Sequence, residues 1–320
     1  MKPYKTTLVA IFTLLFLAAC SGGGSDNPAD TGFIGGDQGL SLEFVNNAPP
    51  DTLADNGQQT FPVILRATNG GEERVNVSEA TITLEGFSPR AFNTSIEALT
   101  KNIPEPIRAN RISPGGDTID SSPVLTEWED FSYVEREVAG RALTMQARMC
   151  YEYGSTTRAE LCVKNDMLST STDTCEIAGQ RSYSSSGAPL KVMTVVQEPV
   201  TSDRTIVQFR IQNAGQGDVY RTGTECSDNS VNPDRNKVRM QLSGLEEASE
   251  VDCTGPQDLG NRAYMVRSNA EDLRNGHTVT CYITIPEEER NNRLQTFNVD
   301  LDYLYTAGAE KSVNIRNSVR

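Results

Sequence analysis

Histidine is nearly absent from this 320-residue chain: His277 is the only one, and no Cys-x-x-Cys pair accompanies it. That removes the usual donor sets for zinc, and no metal site is expected. Catalysis through His277 would need a nucleophile and an orienting carboxylate, and no motif supplies them. Placed after Asn275-Gly276, it reads as a solvated turn residue entering a strand. Gly154-Ser155-Thr156-Thr157-Arg158 lacks the lysine of a phosphate loop and reads as a hairpin turn. Positive charge is short as well. Against 43 acidic residues stand 29 basic ones, a net charge of −14. A nucleic-acid binder needs a basic patch, so that class is excluded. Helical signals are minor: Thr94-Ser95-Ile96-Glu97 and Ser268-Asn269-Ala270-Glu271 fit capping boxes, but each precedes only a turn or two of helix. Beyond the N-terminus no apolar run is long enough to span a bilayer. No enzyme motif and no cofactor signature remains.

What is present begins at the N-terminus. Met1-Lys2-Pro3-Tyr4-Lys5 is basic, and Leu8 to Leu17 is almost wholly apolar but too short for a stable span. That is the layout of a secretory signal. Leu17-Ala18-Ala19-Cys20 resembles the lipobox of lipoprotein signal peptides. The resemblance implies cleavage between Ala19 and Cys20, diacylglyceryl attachment to the Cys20 thiol, and a membrane partner through that lipid. Two acyl chains anchor stably where one holds marginally. The alternative is an ordinary secretory signal with a chance cysteine. The expected layout is a signal peptide at 1–19, then the lipidated cysteine with a Gly/Ser/Asp/Pro-rich flexible tether at 20–37.

Six cysteines follow Cys20: Cys150, Cys162, Cys175, Cys226, Cys253 and Cys281. An even number in an exported chain points to disulfides. Cys150 and Cys162 flank the expected turn at Gly154 on the outward face, which predicts a cross-strand bridge between them. A loop that short contributes about 3 kcal/mol at most. The other four allow three pairings, Cys253–Cys281 with Cys175–Cys226 being one, and spacing does not choose among them.

The strongest pattern is an internal repeat. Residues 141–165 (RALTMQARMCYEYGSTTRAELCVKN) align without a gap with residues 293–317 (RLQTFNVDLDYLYTAGAEKSVNIRN), an offset of 152. Met145, Ala147, Met149, Tyr151 and Tyr153 match Phe297, Val299, Leu301, Tyr303 and Tyr305. Alternation on both sides of a turn predicts a hairpin in each copy, and two copies predict two homologous domains. The period-two register assigns the four tyrosines to the core. Phe61 to Glu72 and Thr205 to Tyr220 repeat as well, each an alternating strand closed by an Asn-x-Gly corner, Asn69-Gly70-Gly71 and Asn213-Ala214-Gly215. The expected fold is all-β: two tandem antiparallel β-sandwiches at 38–165 and 190–320, joined by a linker at 166–189. The strand-then-Asn-x-Gly pattern resembles CARDB-like and related immunoglobulin-like domains of extracellular prokaryotic proteins. The layout, with FVNNAPPD, CYEY…ELCV, SSSGAPLKV and GQGDVY, resembles two-domain lipoproteins of archaeal type. That resemblance implies an immunoglobulin-like fold and an envelope location, and brings no catalytic residues.

The surface offers few further signals. Asp51, Asp55 and Asn56, and Asp228, Asn229, Asn232 and Asp234, could present oxygens to a structural calcium ion, but neither set has EF-hand spacing, and turn formation explains them equally. Asn76-Val77-Ser78 and Asn93-Thr94-Ser95 are glycosylation sequons. The five-proline segment 87–123 reads as a long loop, and with 226–235 it is the expected contact surface. The functional expectation is a lipid-anchored, surface-exposed, non-catalytic binding or adhesion protein, with a protein or glycan ligand on an envelope or neighbouring cell. The alternative is a structural envelope component that binds its own cell's matrix.

Overall fold

A computed structural model describes residues 32–227 and 232–318. Ala19, Cys20, Asp228 and Asn229 lie outside them. The chain runs through β1 (Leu40–Phe44), β2 (Thr52–Ala54), β3 (Phe61–Asn69), β4 (Ala80–Glu85) and β5 (Thr100–Asn102). A small hairpin of β6 (Arg111–Ile112) and β7 (Thr118–Ile119) precedes β8 (Val124–Phe131) and the long β9 (Arg141–Val163). Next come β10 (Gly179–Gln180), β11 (Tyr183–Ser185), β12 (Leu190–Pro199), β13 (Arg204–Asn213), β14 (Val219–Tyr220) and β15 (Lys237–Ser243). The last strands are β16 (Glu250–Thr254), β17 (Gln257–Gly260), β18 (Ala263–Arg267), β19 (His277–Thr284) and β20 (Arg293–Arg316), with α1 (Ala270–Asn275) before β19.

The protein is essentially all-β, as its alternation requires. In β3 the side chains of Phe61, Val63, Leu65 and Ala67 are buried while those between them reach outward, and β13 repeats this with Val207, Phe209 and Ile211. Three of the sheets are large enough to build layers: β1-β3-β8, β10-β12-β13-β19-β16, and a ten-stranded sheet along β17-β18-β15-β20-β9-β4-β5. Their inner faces join in one buried apolar cluster. Each large side chain so buried stabilises by roughly 1.5–3 kcal/mol. α1 is capped at Asn269, whose side chain accepts from the Asp272 N–H at 2.8 Å, one residue later than the Ser268 capping box proposed.

The two expected hairpins are not formed. Each repeated segment is one unbroken strand, 23 residues in β9 and 24 in β20, about 75 Å of extended chain. The two strands pair antiparallel from Arg293 opposite Val163 to Ile315 opposite Arg141. Gly154 stays extended, outside the left-handed region a tight hairpin would use. The inward alternation also continues through the supposed turn: Tyr153, Ser155, Thr157, Ala159 and Leu161 are all buried.

Antiparallel pairing of two repeats places a pseudo-twofold axis at the Glu152–Leu304 pair. Each long strand therefore serves both repeats. β9 pairs first with β4, through Gln146–Tyr151, and later with β11, through Thr157–Ala159. β20 pairs first with β15, through Asn298–Asp302, and later, in parallel, with β2 through Asn314–Arg316.

The bridge between Cys150 and Cys162 is also not formed, for the same reason. Twelve residues apart on one extended strand, they lie about 40 Å from each other. Cys150 is bonded to Cys226, Cys162 to Cys175, and Cys253 to Cys281, the last two facing each other across β16 and β19. The Cys150–Cys226 bond ties the outer face of β9 to a loop of the second repeat, over Tyr220 and Leu304. The segment 166–189 carries β10, β11 and the Cys162–Cys175 bond. Residues 33–37, expected within the flexible tether, are held as well. Glu72 accepts from the N–H groups of Ile34 and Gly35 at 2.9 Å and of Gly187 at 2.6 Å. Lys191 donates to the Gly36 carbonyl at 2.8 Å and pairs with Asp37 at 2.6 Å.

Candidate functional site

Four tyrosines close around the pseudo-twofold. Across the ribbon Tyr151 meets Tyr305 with ring centroids 5.9 Å apart, and Tyr153 meets Tyr303 at 6.4 Å. Along the strands the neighbours stand at 5.5 and 6.1 Å. All four rings are buried, as their register predicted. A buried hydroxyl needs partners, and the repeat supplies them twice. Tyr153 donates to Asn69 Oδ1 at 2.9 Å, and Tyr305 to Asn213 Oδ1 at 2.8 Å. Tyr151 accepts from the Leu40 N–H at 3.0 Å, and Tyr303 from the Leu190 N–H at 3.3 Å.

This arrangement explains the Asn-x-Gly corners. Asn69 Oδ1 also accepts from the Gly71 N–H at 2.9 Å, while its amide donates to the Glu73 carbonyl at 2.6 Å. Asn213 does the same with Gly215 at 3.2 Å and Gly217 at 2.9 Å. A Cβ on Gly71 or Gly215 would run into the Tyr153 or Tyr305 hydroxyl, so the third position must be glycine. Burial pushes all four phenols up, Tyr305 to about 12 and the others further. They titrate far above neutral pH and act as struts.

Where the flanking strands stop, the ribbon leaves clefts at its margins. The larger, about 670 Å³, lies between Asp37–Leu42 and Thr306–Glu310, with Pro189 and Gly215–Asp218 at one end. Four carboxylates line it: Asp37 pairs with Lys191 at 2.6 Å, Glu85 with Arg148 at 3.0 Å and Asp218 with Arg235 at 2.7 Å, while Glu310 accepts from the Gln146 amide at 2.8 Å. The repeat-related cleft, about 440 Å³, lies beside Tyr153 and is lined by Glu73, Glu79, Glu152, Asp300 and Asp302. Burial raises the Glu73 carboxyl, and the Glu79 and Asp302 charges add to the shift. Arg239 pairs with Asp302 at 2.7 Å, and Thr156 donates to Asp300 at 2.7 Å.

Asp55, one of the calcium candidates, is fully buried and saturated by donors. It accepts from the N–H groups of Glu137 at 2.8 Å and Ser318 at 2.7 Å, and from the Ser318 hydroxyl at 2.5 Å. Those bonds, the Ser318 hydroxyl foremost, hold its carboxyl below the usual range and latch Ser318, beyond β20, to the residue that follows β2. Asp51 pairs with Lys311 at 2.8 Å, and Asn56 takes the left-handed turn conformation. Asp234 pairs with Arg221 at 2.9 Å, and Asn232 accepts from the Asp234 N–H at 2.9 Å. Among the described residues no three His, Cys, Asp or Glu side chains are grouped to hold a metal ion.

Asn76 and Asn93 are both exposed. Asn76 caps a short turn and donates to Glu79 at 3.0 Å, whereas Asn93 sits in a left-handed turn. His277 is half-buried at the start of β19, with Nδ1 3.2 Å from Ser268 Oγ, so it is less solvated than a turn position implies. Segment 87–123 buries Phe92, Leu99, Ile103 and Ile107, leaving Ile96 and Ile112 exposed.

No family model matches the chain, and no curated protein matches it. Among solved structures, it is similar to the serine-rich repeat adhesion glycoprotein Srr1 from Streptococcus agalactiae. Identity there is 8%, covering 87% of this chain and 97% of that one, with a TM-score of 0.18. It is also similar to the collagen binding domain of the Erysipelothrix rhusiopathiae surface protein RspB, at 10% identity, 88% and 98% coverage and a TM-score of 0.14. Scores this low do not establish a shared fold.

Proposed function

We propose that this chain is an exported, lipid-anchored, non-catalytic binding protein of the cell surface. It is built from two immunoglobulin-like units, at 38–165 and 190–320, that share one sheet. The observation that carries this reading is the cysteine count. All six cysteines among the described residues are bridged, and the seventh is Cys20, standing directly behind a lipobox-like stretch. Disulfides persist in oxidising compartments, so the bridges and the signal-like N-terminus agree on export. A body braced by buried tyrosines and three bridges suits a scaffold that presents surface contacts. What supports a non-catalytic role is that the hydrogen-bond partner of His277 is Ser268, not an orienting carboxylate.

Two measurements test the proposal. The full chain, expressed in a lipoprotein-processing host with labelled fatty acid, should take label and fractionate with membranes, and Cys20→Ser should abolish both. The purified full chain in detergent should then bind intact neighbouring cells saturably. Binding confined to the producer's own envelope would replace adhesion by a structural role.

A further inference from the structure

The ribbon has two outer edges, and the chain itself shows what fits one of them. On β9 the edge beyond Gly154 is taken by β11, with Tyr183, Ser184 and Ser185 opposite Ala159, Arg158 and Thr157. The Glu160 N–H donates to the Ser182 carbonyl at 3.1 Å, and the Ser186 N–H to the Thr156 carbonyl at 2.9 Å. The repeat-related stretch of β20 is Gly308–Ser312, and no strand of the described residues pairs with its outer edge.

Ladder groups point alternately to the two sides of an antiparallel strand. The Thr306 N–H donates outward to the Asp218 carbonyl at 3.1 Å, and the Asn314 N–H outward to the Asp51 carbonyl at 2.9 Å. The alternation between them turns the N–H and C=O groups of Gly308, Glu310 and Ser312 to the same side, and Gly308 and Glu310 are exposed at the surface with Ser312. The segment that the repeat would place there, residues 32–36, is held elsewhere by Glu72 and Lys191.

We propose that this edge binds a partner by strand addition. An extended segment of another protein, with apolar and basic side chains alternating, ladders onto Gly308–Ser312 as β11 ladders onto Thr156–Glu160. Spaced N–H and C=O groups are matched by an extended backbone. The apolar side follows from β11, whose Tyr183 ring packs against the core, and from Ala307 and Ala309, whose small side chains leave room. The basic side follows from Glu310, whose carboxylate stands on the exposed edge with a neutral partner, the Gln146 amide at 2.8 Å, while the other carboxylates of the bordering cleft, Asp37, Glu85 and Asp218, are paired with Lys191, Arg148 and Arg235. A second copy of this chain is the wrong occupant, because pairing the edges about Glu310 would set Glu310 against its own equivalent. The inference rests on the binding role above and deepens it by naming the contact.

The test uses the full chain in detergent and two seven-residue probes. One is the chain's own 181–187 sequence, RSYSSSG; the other carries lysine at the three positions of Ser182, Ser184 and Ser186. The lysine peptide should bind at least about tenfold more tightly and slow hydrogen exchange at the amides of Gly308, Glu310 and Ser312. N-methylation at the two backbone positions of residues 184 and 186 should cost about tenfold or more, since it removes ladder donors. Glu310→Lys should reverse the preference between the probes. Unchanged exchange at those three amides, or equal binding of the N-methylated peptide, overturns the proposal. So does full cell binding by Ser312→Pro, which blocks the edge; that last result would leave the surface role standing.

Discussion

Removing the Cys150–Cys226 bond should cost more than removing either other bridge. Cross-linking restricts the unfolded chain, and in the loop-entropy model the effect grows with the logarithm of the enclosed length. Sequence separations of 76, 28 and 13 residues for Cys150–Cys226, Cys253–Cys281 and Cys162–Cys175 set the order. They translate to about 4.5, 3.6 and 2.9 kcal/mol at 25 °C. Folded domains are stable by about 5–15 kcal/mol in total, so the largest loss would be plain. The assay is guanidinium unfolding of three paired variants, Cys150→Ser with Cys226→Ser and likewise for the others, so that no lone thiol is left. Peptide mapping of the unreduced wild type should recover Cys150 joined to Cys226. An equal cost for the Cys162/Cys175 and Cys150/Cys226 pairs, or mapping that joins Cys150 to Cys162, would refute this order.

Gly71→Ala and Gly215→Ala should each destabilise by about 1–3 kcal/mol, because the new methyl meets a fixed tyrosine hydroxyl, while Gly115→Ala, whose methyl would make only ordinary contacts with the Ser113 and Asp117 side chains at 3.7 and 3.8 Å, should be near neutral in thermal melts. Tyr305→Phe should cost about 1–2 kcal/mol, since it strands the Gly217 N–H and one acceptor site on Asn213, readable as a lowered denaturant midpoint. From neutral pH stability should be flat up to about 10 and fall from there through about 12, because the unfolded chain ionises its tyrosines first while the folded chain keeps Tyr305 protonated. Absorbance titration that finds all tyrosines ionising together near 10 would refute this. In acid the sign is opposite. Asp55 is held ionised in the folded state, so its contribution is present above the ordinary carboxylate range and is lost as pH falls below it. Asp55→Asn should therefore flatten the acid limb of a stability–pH curve.

The β class and the core were legible because both rest on period two, a local property of Met145 to Val163 and Phe297 to Ile315. The pairing was not. A turn at Gly154 and a straight strand through Gly154 bury the same flanking side chains, so alternation alone cannot separate a hairpin from a ribbon. The one legible clue was an inward register that runs on without a break, with Ser155 and Thr157 standing on the apolar face where a turn would have released them. The Cys150–Cys162 bridge fell with that hairpin. The Asn-x-Gly corners were visible as a repeat, but their reason lies 84 and 92 residues away in Tyr153 and Tyr305. The edge of Gly308–Ser312 was invisible for a further reason: exposure of a backbone depends on which neighbour is missing.

The ribbon also fixes when this protein can exist. The paired residues of β9 and β20 are between 130 and 174 positions apart, from Val163–Arg293 to Arg141–Ile315. Val313 and Ile315, at the very end of the described chain, share the core with Leu53 near its beginning. A growing chain must therefore wait for β20 before the core can close, and closure over such separations is slow. On the export proposed above, that delay would keep the chain threadable through a translocation pore until β20 has been made. A chain truncated before β20 should stay open, with fast amide exchange throughout β4 and β9.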